Sequence, residues 1–76
     1  MSAIVLHRID PTRNMARFYR LDIQPDLFGG VSVVKEWGRI GRGGQTRQTL
    51  YVNSDEARAA VERQKQVKER RGYFTT

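Results

Sequence analysis

No cysteine occurs anywhere in the 76 residues. That excludes disulfides, thiolate chemistry and every zinc-finger arrangement. The chain has one histidine, His7, which cannot make a metal site by itself and has no nucleophile at a recognisable spacing. The eight carboxylates are scattered and mostly lie near a basic residue. Catalysis needs several converging groups, so neither an enzymatic activity nor a cofactor is expected. Long apolar runs are missing as well. The longest uncharged one falls well short of a bilayer span, and "AIVLHRI" is too short and too charged for a signal peptide. The expectation is a soluble cytoplasmic protein without membrane contact. Its length allows one domain, residues 1–76, with no room for a second core. A chain of this size buries only about 60% of its unfolded surface, which leaves a thin stability margin.

Charge of one sign is plentiful. Fourteen Lys and Arg against eight Asp and Glu give a net charge of +6 and a pI near 10.5. This balance concentrates polyanions around the protein, and nucleic acid is the commonest polyanion in a cell. Arginine supplies most of the positive charge. Its planar fork suits phosphate better than the point charge of lysine.

Hydrophobic periodicity divides the chain in two. Residues 3 to 9 read as a first strand ended by Asp10-Pro11. Residues 16 to 24 alternate, with Tyr19, Leu21 and Ile23 on one face and Arg20 and Asp22 on the other. "PDLFGG" (25 to 30) is a turn, and the β-branched 31 to 40 make a third strand. "GRGG" (41 to 44) closes a hairpin onto a fourth strand at 45 to 52. The period then changes to that of a helix. Asn53 or Ser54 can cap it, with Glu56 in capping-box spacing from Asn53. Ala57, Ala60, Val61, Gln64 and Val67 form its narrow inward stripe. Lys68, Arg70 and Arg71 suit its C-terminus, and Gly72 sits where a C′ glycine belongs. The fold class implied is α+β: an antiparallel sheet of about four strands with one helix across a face.

The hairpin carries the candidate site. Lys35, Trp37 and Arg39 are two apart and share a strand face, and Gly38 between them lets a backbone or ligand approach closely. An indole beside a guanidinium suits a sugar-phosphate: the ring packs on ribose or base and the fork takes phosphate oxygens. The competing reading buries Trp37 in a thin core and leaves Arg39 as a solvated neighbour. No phosphate-loop pattern is present, because the glycines join two strands rather than a strand and a helix. Arg42 projects from the turn tip. Arg47 depends on register: pairing Gly41 with Gln45 sets it opposite Arg39, whereas pairing Ile40 with Gln45 turns it away. Opposed arginines would repel unless an anion lay between them.

"FYRLDIQ", "WGRIGRGGQ" and "SDEARAAVERQKQVKERRGY" together resemble the WGR domain, named for its Trp-Gly-Arg motif. The family occurs beside the catalytic domain of poly(ADP-ribose) polymerases and as short stand-alone bacterial proteins. The resemblance runs from about Met15 to Tyr73. It implies an antiparallel sheet with one helix and DNA binding, especially at strand breaks. The family's tryptophan packs against sugar and its arginine engages DNA or a neighbouring domain. Those roles fall on Trp37 and Arg39, with Arg47 a weaker candidate and Gly41, Gly44 and Gln45 structural. One departure is Lys65, four residues after Val61, where the family carries a bulky apolar residue; its stem must lie along the sheet. The 76 residues hold no transferase domain, so the polymerase reaction is not implied. The expected partner is nucleic acid, DNA rather than RNA, through Trp37, Arg39, Lys35, Arg42 and Arg47. The alternative is a protein partner docked on the Trp37/Arg39 surface.

Overall fold

A computed structural model describes residues 3–26 and 29–75. Five strands form one antiparallel sheet: β1 (Ala3–Asp10), β2 (Met15–Pro25), β3 (Val31–Arg39), β4 (Gln45–Tyr51) and β5 (Phe74–Thr75), in spatial order β4-β3-β2-β1-β5. A helix, α1 (Ser54–Arg70), precedes β5. The architecture is the α+β sheet-and-helix arrangement expected. The fifth strand is a two-residue edge that periodicity cannot detect.

Strands β1 to β4 follow one another through short connections. Between β1 and β2, Asp10 accepts hydrogen bonds from the Thr12 amide and hydroxyl at 3.2 and 2.6 Å. Pro11 then begins a single 3₁₀ turn, and Asn14 closes it in the left-handed region at φ 49°. Of the expected 25 to 30 turn, residues 27 and 28 lie outside those described; Gly29 has φ +94° and Asp26 donates its amide to the Gly30 carbonyl at 2.9 Å.

Alternation places Leu6, Tyr19, Leu21 and Val33 on one sheet face, where α1 covers them with Ala57 and Val61. These six side chains are the buried core, and Leu6, Leu21 and Val33 are essentially inaccessible. Each is worth about 1.5–3 kcal/mol of burial. Asn53 caps α1, accepting the Glu56 amide on its side chain at 2.9 Å.

The inward face of α1 differs from the expected stripe at its last turn. Val67 is exposed, and Lys68 points toward the sheet instead. The reason is local: the Lys68 ammonium lies over the Tyr19 and Tyr73 rings, 4.5 and 5.4 Å from their centroids. It is therefore not simply a charge complementing the helix end. Lys65 is half-buried, as its expected course along the sheet requires. Among the described residues no helix is long and apolar enough to cross a membrane.

Candidate nucleic-acid interface

The helix covers only part of its sheet face. Beyond Tyr19 the face is open, and the residues there follow from register. Tyr19 stands opposite Leu6 on one side and Trp37 on the other, with Gln45 completing the row. One step further out, Arg8, Arg17 and Arg39 are neighbours across β1, β2 and β3. One step back toward the core, Lys35 faces Arg47 across β3 and β4.

Trp37 is neither fully buried nor fully exposed. Its ring is half-buried and packs against the core, tilted 30° to Tyr19 with centroids 6.3 Å apart. The remaining ring surface lines two adjoining hollows. The larger, about 440 Å³, is bounded by Arg17, Tyr19, Trp37, Arg39, Lys68 and Tyr73. The smaller, about 240 Å³, is bounded by Tyr19, Lys35, Trp37, Arg47 and Lys68. Among the described residues no carboxylate lines either hollow.

Arg39 is exposed. It donates Nη1 to the Asn14 carbonyl at 3.1 Å and Nη2 to the Asn14 side-chain oxygen at 3.4 Å. Both acceptors are neutral, so the positive charge is held in place without being compensated. A guanidinium has five N–H donors, which leaves some of the fork for a ligand.

Neither expected register of the hairpin is found. β4 begins opposite Trp37, with Trp37 paired to Gln45, so Arg47 faces Lys35 rather than Arg39. Gly38 and Arg39 have by then left β4 and pair only with β2, against Phe18 and Arg17; Ile40 extends this by donating to the Ala16 carbonyl at 2.9 Å. Arg47 nonetheless shares the face of Trp37. Arg42 is exposed at the turn and lines neither hollow.

The glycines of the motif serve this geometry. A β-carbon on Gly38 would sit 2.9 Å from Gly44 Cα and 3.4 Å from the Phe18 ring. The close approach is thus to another backbone. One on Gly44 would collide with the Trp37 carbonyl. Gly41, at φ +86°, turns the chain where Arg42 N–H bonds the Arg39 carbonyl at 3.1 Å.

Arg17, Tyr19, Lys68 and Tyr73 join the site without having been read as site residues. Gly72 brings two of them together. Its φ of +95° allows Gly72 N–H to bond Glu69 O at 3.1 Å and Tyr73 N–H to bond Lys68 O at 3.0 Å, the paired bonds of a Schellman motif. The chain reverses, and Tyr73 meets Tyr19 edge to face at 6.4 Å. The sequence signal was present in the G-Y closing the helix, but it gives no destination for the tyrosine.

Positive charge is crowded on this face. Burial lowers the Lys68 pKa, and Arg71, Arg17 and Lys35 lower it further. Burial raises that of Tyr19 against the opposing effect of its hydrogen bond from Gln64, 3.0 Å long. Three like-charged pairs stand directly opposite in the sheet: Arg8 with Arg17, Arg17 with Arg39, and Lys35 with Arg47. Like charges directly opposite one another are destabilising.

The WGR domain profile matches residues 2–76. "Uncharacterized protein y4dW" of Sinorhizobium fredii is 39% identical over 71 residues, covering 92% of this chain and 34% of that protein. The chain thus spans about a third of that relative's length. No solved structure matches. With a profile running over nearly every residue, and Trp37, Gly38 and Arg39 at the centre of the open face, the chain belongs to the WGR domain family.

Proposed function

We propose that residues 1–76 act as a single non-catalytic DNA-binding module that prefers strand ends or nicks. The observation that carries this is the set of like-charged pairs around Trp37, Arg17 with Arg39 and Lys35 with Arg47, with no carboxylate among the described residues that line the hollows between them. Each opposed pair costs about 0.2–1 kcal/mol while no anion is bound. Phosphate removes that repulsion and adds charge-assisted hydrogen bonds, which are about twice as strong as neutral ones. Trp37 supplies the flat surface for a sugar or base, and Arg39, fixed by Asn14, presents its remaining donors to phosphate. Arg42 reaches outward from the turn to a more distant phosphate. Membership of the family supports DNA, and breaks in it, as the form of polyanion.

Titration of labelled blunt, nicked, single-stranded and covalently closed circular DNA at two salt concentrations tests this. Ends and nicks should bind more tightly than the closed circle. If no DNA binds at low salt but an acidic protein does, the Trp37/Arg39 surface is a protein-docking site instead, since exposed Trp and Arg also serve as interface hot spots.

A further inference from the structure

The open face holds two clusters of positive charge rather than one. Arg17 and Arg39 bound the larger hollow, and Lys35 and Arg47 bound the smaller. Tyr19, Trp37 and Lys68 line both and so form the wall between them. Lys35 and Arg39 are four positions apart on β3, which at roughly 3.3 Å per residue separates the clusters by about 13 Å. A strand at 3.4 Å per nucleotide covers that distance in about four nucleotides, and an extended strand in fewer.

The hollows also limit what can enter. At about 440 and 240 Å³, only the larger reaches the size of a small-molecule pocket, and each suits a nucleotide unit rather than a duplex. Bases stacked in a duplex present only their edges in the grooves. A ring can reach a base face at the very end of a duplex or where the base is unstacked.

We infer that the site takes an unpaired DNA strand that runs past Trp37, with one phosphate held by Arg17 and Arg39 and another by Lys35 and Arg47. Lys68, held over the two tyrosine rings, faces the sugar-phosphate between those two points. This rests on the DNA-binding reading and deepens it. Ends and nicks are favoured because duplex DNA frays there and supplies the unpaired segment.

The test uses thymidine oligonucleotides of three to twelve nucleotides and a blunt duplex. They are titrated against the intact protein and against a variant carrying both Lys35→Gln and Arg47→Gln, whose fold is checked by thermal melting. In the unaltered protein, affinity should climb steeply between three and about six nucleotides and then level off. The double variant should lose that climb, binding the six-nucleotide strand about tenfold more weakly and the three-nucleotide strand within a factor of about two. An equal loss at every length, or no loss at any, overturns the two-cluster path. So does affinity independent of length, and in each of these cases the DNA-binding reading survives if the duplex still binds. Failure of both duplex and oligonucleotides to bind rejects that reading itself.

Discussion

Arg17 on β2 and Arg39 on β3 stand directly opposite each other in the antiparallel ladder. Neither forms an ion pair with a carboxylate among the described residues. The ladder brings the two positive charges together on one face, and Arg39 is tied to the β1–β2 turn through Asn14. A chain of this size has little stability to spare, and the proposed phosphate would remove the repulsion of this pair.

Arg17→Gln should therefore separate stability from function. Removing one of the opposed charges should leave the protein equally stable or up to about 1 kcal/mol more so, while DNA affinity falls. Chemical denaturation and DNA titration of the same variant check both halves. A clear loss of stability would mean that Arg17 is a packing residue.

Gly44→Ala should destabilise by about 1–3 kcal/mol, because its β-carbon would lie 2.8 Å from the Trp37 carbonyl carbon and 3.0 Å from the Phe18 ring. Gly43→Ala is the control. Nothing lies within 4 Å of its β-carbon, and it should be neutral within about 0.5 kcal/mol. Thermal denaturation of the pair decides whether the hairpin closes as described.

Gly72→Ala forces a side chain into the left-handed region at φ +95°, at a cost of about 1–2 kcal/mol. The added carbon would also crowd Arg8 Nε at 3.3 Å. Because this turn delivers Tyr73 beside Lys68, DNA affinity should fall together with stability. Asn at the same position tolerates the conformation better and should recover part of both.

Two titrations set the alkaline stability profile. Burial holds the Tyr19 pKa above its usual value near 10, so its contribution is complete below pH 10 and is lost as pH rises through the higher folded value. Lys68 runs the other way. Its folded pKa is lowered, chiefly by burial and then by Arg71, Arg17 and Lys35, so these oppose its charge at neutral pH. That penalty is relieved as pH rises through the lowered value. Lys68→Met should flatten the rise in stability below pH 10, and Tyr19→Phe should reduce the loss above it, both followed by denaturation across pH 7 to 11.

Much of this fold was legible because its signals are local. Tyr19, Leu21 and Ile23 alternate cleanly, Asn53 is a helix cap, and Gly72 stands where a helix must reverse. The site was legible only along one strand: Lys35, Trp37 and Arg39 could be placed on a common face from spacing alone. What joins them comes from elsewhere. Arg17 depends on the β2–β3 register, Arg47 on a hairpin whose ladder stops at Trp37, and Tyr73 on where a Schellman turn points. Lys68 was hidden for a different reason. Polarity argued for solvent and favoured Val67 as the inward residue, whereas two aromatic faces hold the ammonium against the sheet.

The most direct measurement is duplex DNA affinity against salt concentration, for the intact protein and for Arg17→Gln/Arg39→Gln. Three or four phosphate contacts give a log–log slope of about −3, roughly a sixtyfold loss of affinity between 50 and 200 mM salt. Loss of the one phosphate that these two arginines hold should make the slope shallower by about 1, to about −2. A slope near zero in the intact protein, or the same slope in both, would contradict phosphate binding by the arginines beside Trp37.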